Sequence, residues 1–423
     1  EAALTVAVLD AVGNRVMDWT GSMSLAAPEI VDLPERVEFG LEHQGARRIV
    51  FETGDEGVVM VSADSGTGLQ GRSNPLKVGA GVRRVLWADL HGHSGLTDGT
   101  GTPKDYFRYA REVSALDVVA LTDHDHWGMQ PLALHPELWE EIRRETELFH
   151  RPGAFVTLLG YEWTSWIHGH RHVLYFSDQG QIFSSVDADF ESPLQLWDAL
   201  RETDALTFAH HSAGGPIATN WEIPPDPELE PVTEIVSVHG SSEALDSPAG
   251  IYSPVVGNFV RDVLQRGYVF GFVGSGDSHD GHPGFSHFNA ASGGMAAILS
   301  EELTREGVKD SLQQRRVYAT NGPRILLEAE LADWPMGSTI DAGALAALAA
   351  REKVLKVTVT GTSGVERVEL IRTGEVEERV DCAARPVCTP SFAVLNLDSG
   401  EYFYVRAIQS DGGAAWSSPF YVR

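Results

Sequence analysis

Most of the residues able to do metal or proton chemistry sit in one stretch of the chain. The sequence holds 16 histidines, and all except His43 fall between His91 and His287. They recur in short polar clusters: His91-Gly92-His93, Thr122-Asp123-His124-Asp125-His126, Gly160-Tyr161-Glu162-Trp163, His210-His211, His239, and Gly276-Asp277-Ser278-His279. Imidazole binds metals and moves protons near neutral pH. Combined with carboxylates and without thiolates, it suits Zn²⁺, Mn²⁺ or Fe and disfavours an all-oxygen Ca²⁺ site. His91 and His93 are spaced i, i+2, as are Asp277 and His279. On an extended strand each pair shares a face and can grip one ion. Asp98 lies in the turn Thr97-Asp98-Gly99. Cys382 and Cys388 are the only cysteines, so a Cys-rich zinc site is excluded.

Each cluster follows an apolar run, at residues 86–90, 118–121, 155–159, 208–209, 235–238 and 270–273. Helical patterns at 103–114 and 136–149 separate the first of these. Apolar strands alternating with helices predict an α/β domain with a parallel sheet buried on both faces. This many units in one domain favours a closed barrel, whose C-terminal mouth would gather all the clusters. Residues 1–82 read differently: alternation at 3–9, a turn at 10–14, then short strands at 48–51 and 57–62. That pattern predicts a β-sandwich and resembles bacterial immunoglobulin-like modules. Alternation returns at 356–360, 365–371, 401–407 and 419–422, predicting a second sandwich over 326–423. Residues 342–350 read as a short helix or a loop insertion. The barrel is therefore expected over 83–325.

The stretches Asp89-Leu90-His91-Gly92-His93-Ser94, Thr122-Asp123-His124, Gly160-Tyr161-Glu162, His172-Val173-Leu174, Ala209-His210 and Gly276-Asp277-Ser278-His279 resemble the PHP superfamily in order and spacing. That superfamily comprises the polymerase and histidinol-phosphatase phosphoesterases. Residues 160–164, 239–243 and 276–279 look most like its DUF3604-like branch, which carries extra β modules. The resemblance implies a distorted (β/α)7 TIM-like barrel and a trinuclear site holding three divalent ions, Zn, Mn or Fe. By that likeness His91, His93, Glu162 and Asp277 hold the first ion. Glu162 bridges to a second, held by His172 and His210. Asp98, His124 and His279 hold the third. His168 and His170 compete for the His172 position, and His211 for that of His210. A histidine before a Val-Leu strand, and the Ala-His pair, favour His172 and His210.

The activity expected from this set is hydrolysis of a small phosphate mono- or diester by metal-bound hydroxide. Glu162 and Asp277 would be central to it. His239, His126 and His282 are candidate general acids for the leaving oxygen. Arg171 is a candidate phosphate fork, although alternation along a strand would turn it away from His172. Trp163, with Trp166 and Trp221, could wall the substrate, although aromatic residues more often pack. A metal-dependent hydrolase of a non-phosphate ester or amide is the alternative, followed by a non-catalytic surface-binding protein.

Composition bounds the partners. Against 32 Lys+Arg stand 60 Asp+Glu, a net charge of -28. Such a surface excludes electrostatic binding to a nucleic acid polymer or an anionic membrane. A small phosphate ester remains compatible, because a metal cluster makes one cationic pocket within the acidic surface. Hydrophobic residues make up 43% of the chain, a globular proportion. No apolar run reaches the roughly 18 residues of a membrane span. The two cysteines flank Ala-Ala-Arg-Pro-Val, a spacing equally compatible with a disulfide and with free thiols. With the acidic surface and the immunoglobulin-like pattern, they lean toward a secreted or periplasmic location, the cytoplasm being the alternative. The chain opens at Glu1 with neither Met nor signal peptide, which reads as a processed or trimmed start.

Overall fold

The computed structural model describes residues 2–79, 81–285 and 293–423. His287 lies outside them. The protein is mixed α/β, mostly sheet with few helices. Its central strands are β1 (Val85–Asp89), β2 (Val118–Leu121), β3 (Val156–Trp163), β4 (Arg171–Tyr175), β5 (Ala205–Ala209), β6 (Val232–Ser237), β7 (Gly271–Gly274), β8 (Met295–Leu299) and β9 (Val317–Thr320). The central helices are α1 (Pro103–Glu112), α2 (Pro136–Phe149), α3 (Pro193–Leu200), α4 (Val260–Leu264) and α5 (Arg305–Gln313). Helix starts follow their sequence signals. Thr102 caps α1 by accepting from the Asp105 N–H, and Ser192 with Gln195 forms a capping box on α3. Every residue of β2, β3, β4, β5 and β6 is buried, as strands covered on both faces require.

The strand order is β5-β4-β3-β2-β1-β8-β9. β2 runs parallel to β1 and β3, but β4 is antiparallel to both β3 and β5. β8 is antiparallel to β1 and β9. β6 and β7 form a parallel pair in a separate small sheet with Gly240–Ser241. The sheet is thus neither all-parallel nor closed by hydrogen bonds into a barrel among the described residues. Chain length explains β4. Only residues 164–170 separate it from β3, fewer than the dozen or so that a parallel crossover needs. The reversal has a chemical result: the start of β4 lies beside the end of β3, and His172 stands opposite Glu162 in register.

Beyond β9 the hydrogen bonding continues into the C-terminal strands. β9 pairs with Ala414–Ser417, which pairs with Tyr402–Gln409, which pairs in turn with the long strand Val354–Arg372. Residues Ala342–Ala347 form a short helix capped by Asp341, and Cys382 and Cys388 are joined as a disulfide. The N-terminal strands form small sheets around Val8, Met23, Val37, Phe39 and Val59. Their 10–14 turn touches the central region. Tyr109 Oη donates to the Gly13 carbonyl at 2.7 Å, and His282 Nε2 lies 3.0 Å from Asn14 Oδ1. Among the described residues no helix is long and apolar enough to cross a membrane.

A buried ion cluster joins the centre to the C-terminal strands. Glu243, just after Gly240–Ser241, is fully buried. It accepts from Arg261 Nη2 at 2.8 Å, Arg406 Nη1 at 2.8 Å and Trp416 Nε1 at 3.1 Å, and from the Tyr404 hydroxyl. Burial would raise its carboxyl, but Arg406 and Arg261 outweigh that and lower it from 4.5 to about 2. A depressed acid contributes stability above its unfolded pKa, and that contribution is lost as protons bind. Wild-type stability from this group should therefore fall as pH drops from about 4.5 toward 2. Glu243→Gln should cost about 3 kcal/mol at neutral pH, because it removes the buried carboxylate that Arg261 and Arg406 share, leaving them Asp246 and Glu369. Denaturant unfolding of both proteins across pH checks this; equal stability at pH 7 would refute the role.

Candidate metal centre

The site is assembled where the ends of β1, β2, β3, β5 and β7 meet the start of β4. Backbone contacts fix the first and last clusters together. Asp277 N–H donates to the His91 carbonyl at 3.0 Å, and His93 N–H to the Ser278 carbonyl at 2.8 Å. Asp89, buried at the end of β1, accepts from Gly276 N at 2.8 Å and Gly284 N at 2.7 Å. Burial pushes its carboxyl up to about 6 against these hydrogen bonds. A Cβ at position 276 would lie 2.5 Å from Asp89 Oδ2, so only glycine fits that turn. Asp277 (φ 53) and His211 (φ 36) both adopt left-handed backbone. That conformation is uncommon outside glycine and gathers at functional sites. Asp123 and Asp125 are spent on structure: Asp123 accepts from Ser94, and Asp125 from Ser185 and Thr164.

Four donors converge at the centre. His91 Nε2 lies 3.0 Å from His93 Nε2, 3.4 Å from Glu162 Oε2 and 3.2 Å from Asp277 Oδ1. His93 Nε2 lies 3.3 Å from Glu162 Oε2 and 3.2 Å from Asp277 Oδ1. Donors on tetrahedral arms of about 2.0–2.1 Å stand about 3.3 Å apart. The other oxygen of Glu162, Oε1, lies 2.6 Å from His170 Nδ1, and Glu162, His170 and His211 form a group with donors within 4.8 Å of one another. His93, Asp98, His124 and His279 form another such group. It is the open side of the site, with the His279 side chain 40% exposed. His239 Nε2 reaches Asp277 Oδ2 at 2.8 Å from the rim.

These approaches lack hydrogen-bond alignment at many atoms. Both oxygens of Asp277, Glu162 Oε1, His170 Nε2 and both ring nitrogens of His172 and His211 are buried with no hydrogen bond among the described residues. Orphaned buried polar atoms aimed at shared points suit a cation. The electrostatics agree. Burial would raise Glu162 and Asp277, but the surrounding imidazoles hold both well below the usual carboxylate range. Burial would lower His93 and His210, yet the carboxylates raise both, His210 to about 10. The carboxylates thus dominate the local potential and favour positive charge. His170, His172 and His211 are pushed down by burial, which favours the neutral ring, the form able to bind a metal.

All nine expected ligands lie in this assembly: His91, His93, Asp98, His124, Glu162, His172, His210, Asp277 and His279. The ring beside Glu162 Oε1 is nevertheless His170 and not His172. His172 and His210 lie deeper, grouped with His91 and Glu234. The substrate residues expected from sequence fare less well. Arg171 points to the opposite face of β4, where Nε donates to Glu230 Oε2 at 2.9 Å and the guanidinium covers Trp197. Trp163 is buried with Nε1 donating to the Phe190 carbonyl, so it is core. His282 is held against Asn14, and His126 is tied to Asp125 at 3.0 Å.

Glu234 is the residue the sequence reading passed over. It is buried in β6 and meets two of the histidines: His210 Nδ1 at 2.5 Å and His91 Nδ1 at 3.4 Å. Ser275 Oγ donates to it as well. One carboxylate thereby orients two imidazoles and leaves their Nε2 atoms facing inward. Its signal was available, because a charged side chain inside an apolar strand needs a partner. Carboxylates behind ligating histidines typically change metal affinity 10–100-fold. Glu234→Gln should weaken divalent-ion binding by about that factor while the protein stays folded. Calorimetric titration with Zn²⁺ or Mn²⁺ checks it, and unchanged affinity would remove Glu234 from the centre.

Comparison with known proteins follows the same segment. The family model described as protein of unknown function (DUF3604) matches residues 107–248 and 284–330. An uncharacterized protein of Chlamydia pneumoniae is 28% identical over 83% of this chain and 59% of its own length. One from Chlamydia trachomatis is 25% identical over 80% of this chain and 57% of its own. The chain thus spans less than two thirds of the curated relatives it matches. Among solved structures, a two-domain Bacteroides vulgatus protein containing a predicted PHP-like metal-dependent phosphoesterase is 14% identical, with TM-score 0.44. That likeness covers 83% of this chain and 100% of the other. A lesion-specific endonuclease of Pyrococcus furiosus is 14% identical, with TM-score 0.35, over 54% of this chain and 56% of its own. The family model thus covers less than half of the chain, and within its match fall the Thr122-Asp123-His124, Gly160-Tyr161-Glu162, His172-Val173-Leu174 and Ala209-His210 stretches that resemble the PHP superfamily.

Proposed function

We propose that the protein is a metal-dependent phosphoesterase acting on a small phosphate mono- or diester. The observation that carries this reading is the convergence of His91, His93, Glu162 and Asp277 at 3.0–3.4 Å without hydrogen-bond alignment at Asp277. These four would hold one ion. Glu162 would share a second with His170 and His211, in preference to His172 and His210, because Glu162 Oε1 faces His170. Asp98, His124 and His279 would hold a third, with His93 beside them. Divalent ions bound there supply positive charge to the phosphoryl oxygens and acidify water.

The chain's own residues do the rest. Glu234 holds His91 and His210 in one tautomer. The Asp89–Gly276 contact fixes Asp277 against β1. His239, at the rim with Asp277 behind its ring, delivers a proton to the leaving oxygen. Water adds to phosphorus, the ester P–O bond breaks, and His239 recovers a proton from the attacking water. We also read the β6–β7 pair as filling the gap of a distorted barrel between an N-terminal immunoglobulin-like module and a C-terminal sandwich. The approach of Gly274 to the Met295 and Thr320 carbonyls supports this. The Cys382–Cys388 bridge supports a secreted or periplasmic location.

Chelator-treated protein reloaded with Zn²⁺, Mn²⁺ or Fe²⁺ should hydrolyse aryl phosphate mono- or diesters, and chelation should remove the activity. His91→Ala or Asp277→Ala should reduce turnover by a factor on the order of 10³ or more, the scale of losing a metal's contribution. Steady-state assays check this. Cleavage of carboxyl esters but not phosphates would replace the reading with the alternative hydrolase, and full activity in either variant would refute the site.

A further inference from the structure

One flank of the centre is an unbroken row of rings. Trp127 packs on Trp166 at 5.2 Å between centroids, and Trp166 on His170 at 5.5 Å. His170 then meets His211 at 4.9 Å, His211 meets His239 at 5.0 Å, and His239 meets Tyr252 at 5.4 Å. The middle of the row belongs to the site, through the 2.6 Å approach of His170 to Glu162 and the 2.8 Å approach of His239 to Asp277. Its two ends are in solvent: Trp127 is 48% exposed, Trp166 44% and Tyr252 50%. Ile167 and Met129 are exposed beside the tryptophans.

Exposed apolar residues scattered singly need no explanation, but Trp127, Trp166, Ile167 and Met129 together make an exposed set at one end of the row, which buried His170 and His211 carry past the polar site to exposed Tyr252, and such a set beside a polar site marks a binding surface. Here the rings of Trp127, Trp166 and Tyr252 supply the flat faces, Ile167 and Met129 flank the tryptophans, and none of these residues is Lys or Arg. Such a surface offers stacking faces for a flat π-system and no cation for a second phosphate. We propose that the scissile ester of this enzyme carries a planar aromatic ring, which lies along this row while the phosphate occupies the metal centre. This rests on the phosphoesterase reading for the position of the phosphate, and on the ring row alone for the rest of the substrate. The aromatic group fits equally as a simple aryl or a nucleobase.

The test uses the metal-loaded full chain with Trp166→Ala and Tyr252→Ala variants whose fold and metal content are verified. In wild type, kcat/KM for 2-naphthyl phosphate is compared with that for glycerol phosphate, and AMP with ribose 5-phosphate. Stacking on one ring is worth on the order of ten-fold or more. Each variant should therefore lower an aromatic-to-aliphatic ratio by at least about that factor. The pair that responds tells aryl from nucleobase. Equal losses on both members of each pair, or no loss, would overturn the proposal. If wild type turns over no phosphate, the phosphoesterase reading fails by itself. The ring row is then judged by calorimetric binding of phenylphosphonate against methylphosphonate. A preference of about ten-fold that Trp166→Ala removes supports the row; equal binding, or a preference that survives, rejects it.

Discussion

Two buried carboxylates set the terms for the rest of this structure. Glu162 and Asp277 lie in the interior, where an isolated negative charge is unfavourable by many kcal/mol. Both oxygens of Asp277 and Oε1 of Glu162 make no hydrogen bond among the described residues, so the neighbouring imidazoles and the cations they can bind must neutralise them. Much of the local architecture answers to that requirement. Asp277 needs a left-handed backbone to reach inward, which in turn needs Gly276 without a side chain and Asp89 to receive its N–H. His91 and His210 need Glu234 behind them. A centre of this kind has shells: donors in front, a carboxylate orienting them, and strands that tolerate the buried charge only because both layers are present.

That these histidines and carboxylates would come together was legible in the sequence because their spacing encodes geometry. The i, i+2 pairs and the position of each cluster after an apolar run are local facts, and local facts survive folding. The choice between adjacent histidines was not legible. His170 and His172 share a face of β4, so only the register against Glu162 and the depth in the site separate them. His210 and His211 are consecutive, and the positive φ at His211 turns its ring toward His170. The fates of Arg171 and Trp163 depended on contacts with Glu230, Trp197 and Phe190, which are distant along the chain.

The fold was legible to a similar depth. The helices α1 and α2 and most central strands fall where the pattern predicts, because burial on both faces writes continuous apolar runs. Strand direction was harder. Nothing in the composition of β4 distinguishes a parallel from an antiparallel strand, but the short 164–170 connection does, and it was the signal to weigh. The continuation of the sheet through β9 into the C-terminal strands could not be read from alternation, which reports a buried face and not a neighbour.

That continuation bears on the order in which the chain can complete its fold as it is made. Glu243 lies four residues after His239, and two of its partners, Arg406 and Trp416, follow it by 163 and 173 residues. While a ribosome is still producing that interval, the His239 loop has only Arg261 to hold its buried acid. The segment at Glu243 is clamped on that side only when the C-terminal strands emerge and add to β9. Completion of the last sheet edge thus doubles as the step that neutralises a buried acid beside the histidine cluster, and any nascent or cleaved form lacking it would leave Glu243 with Arg261 alone.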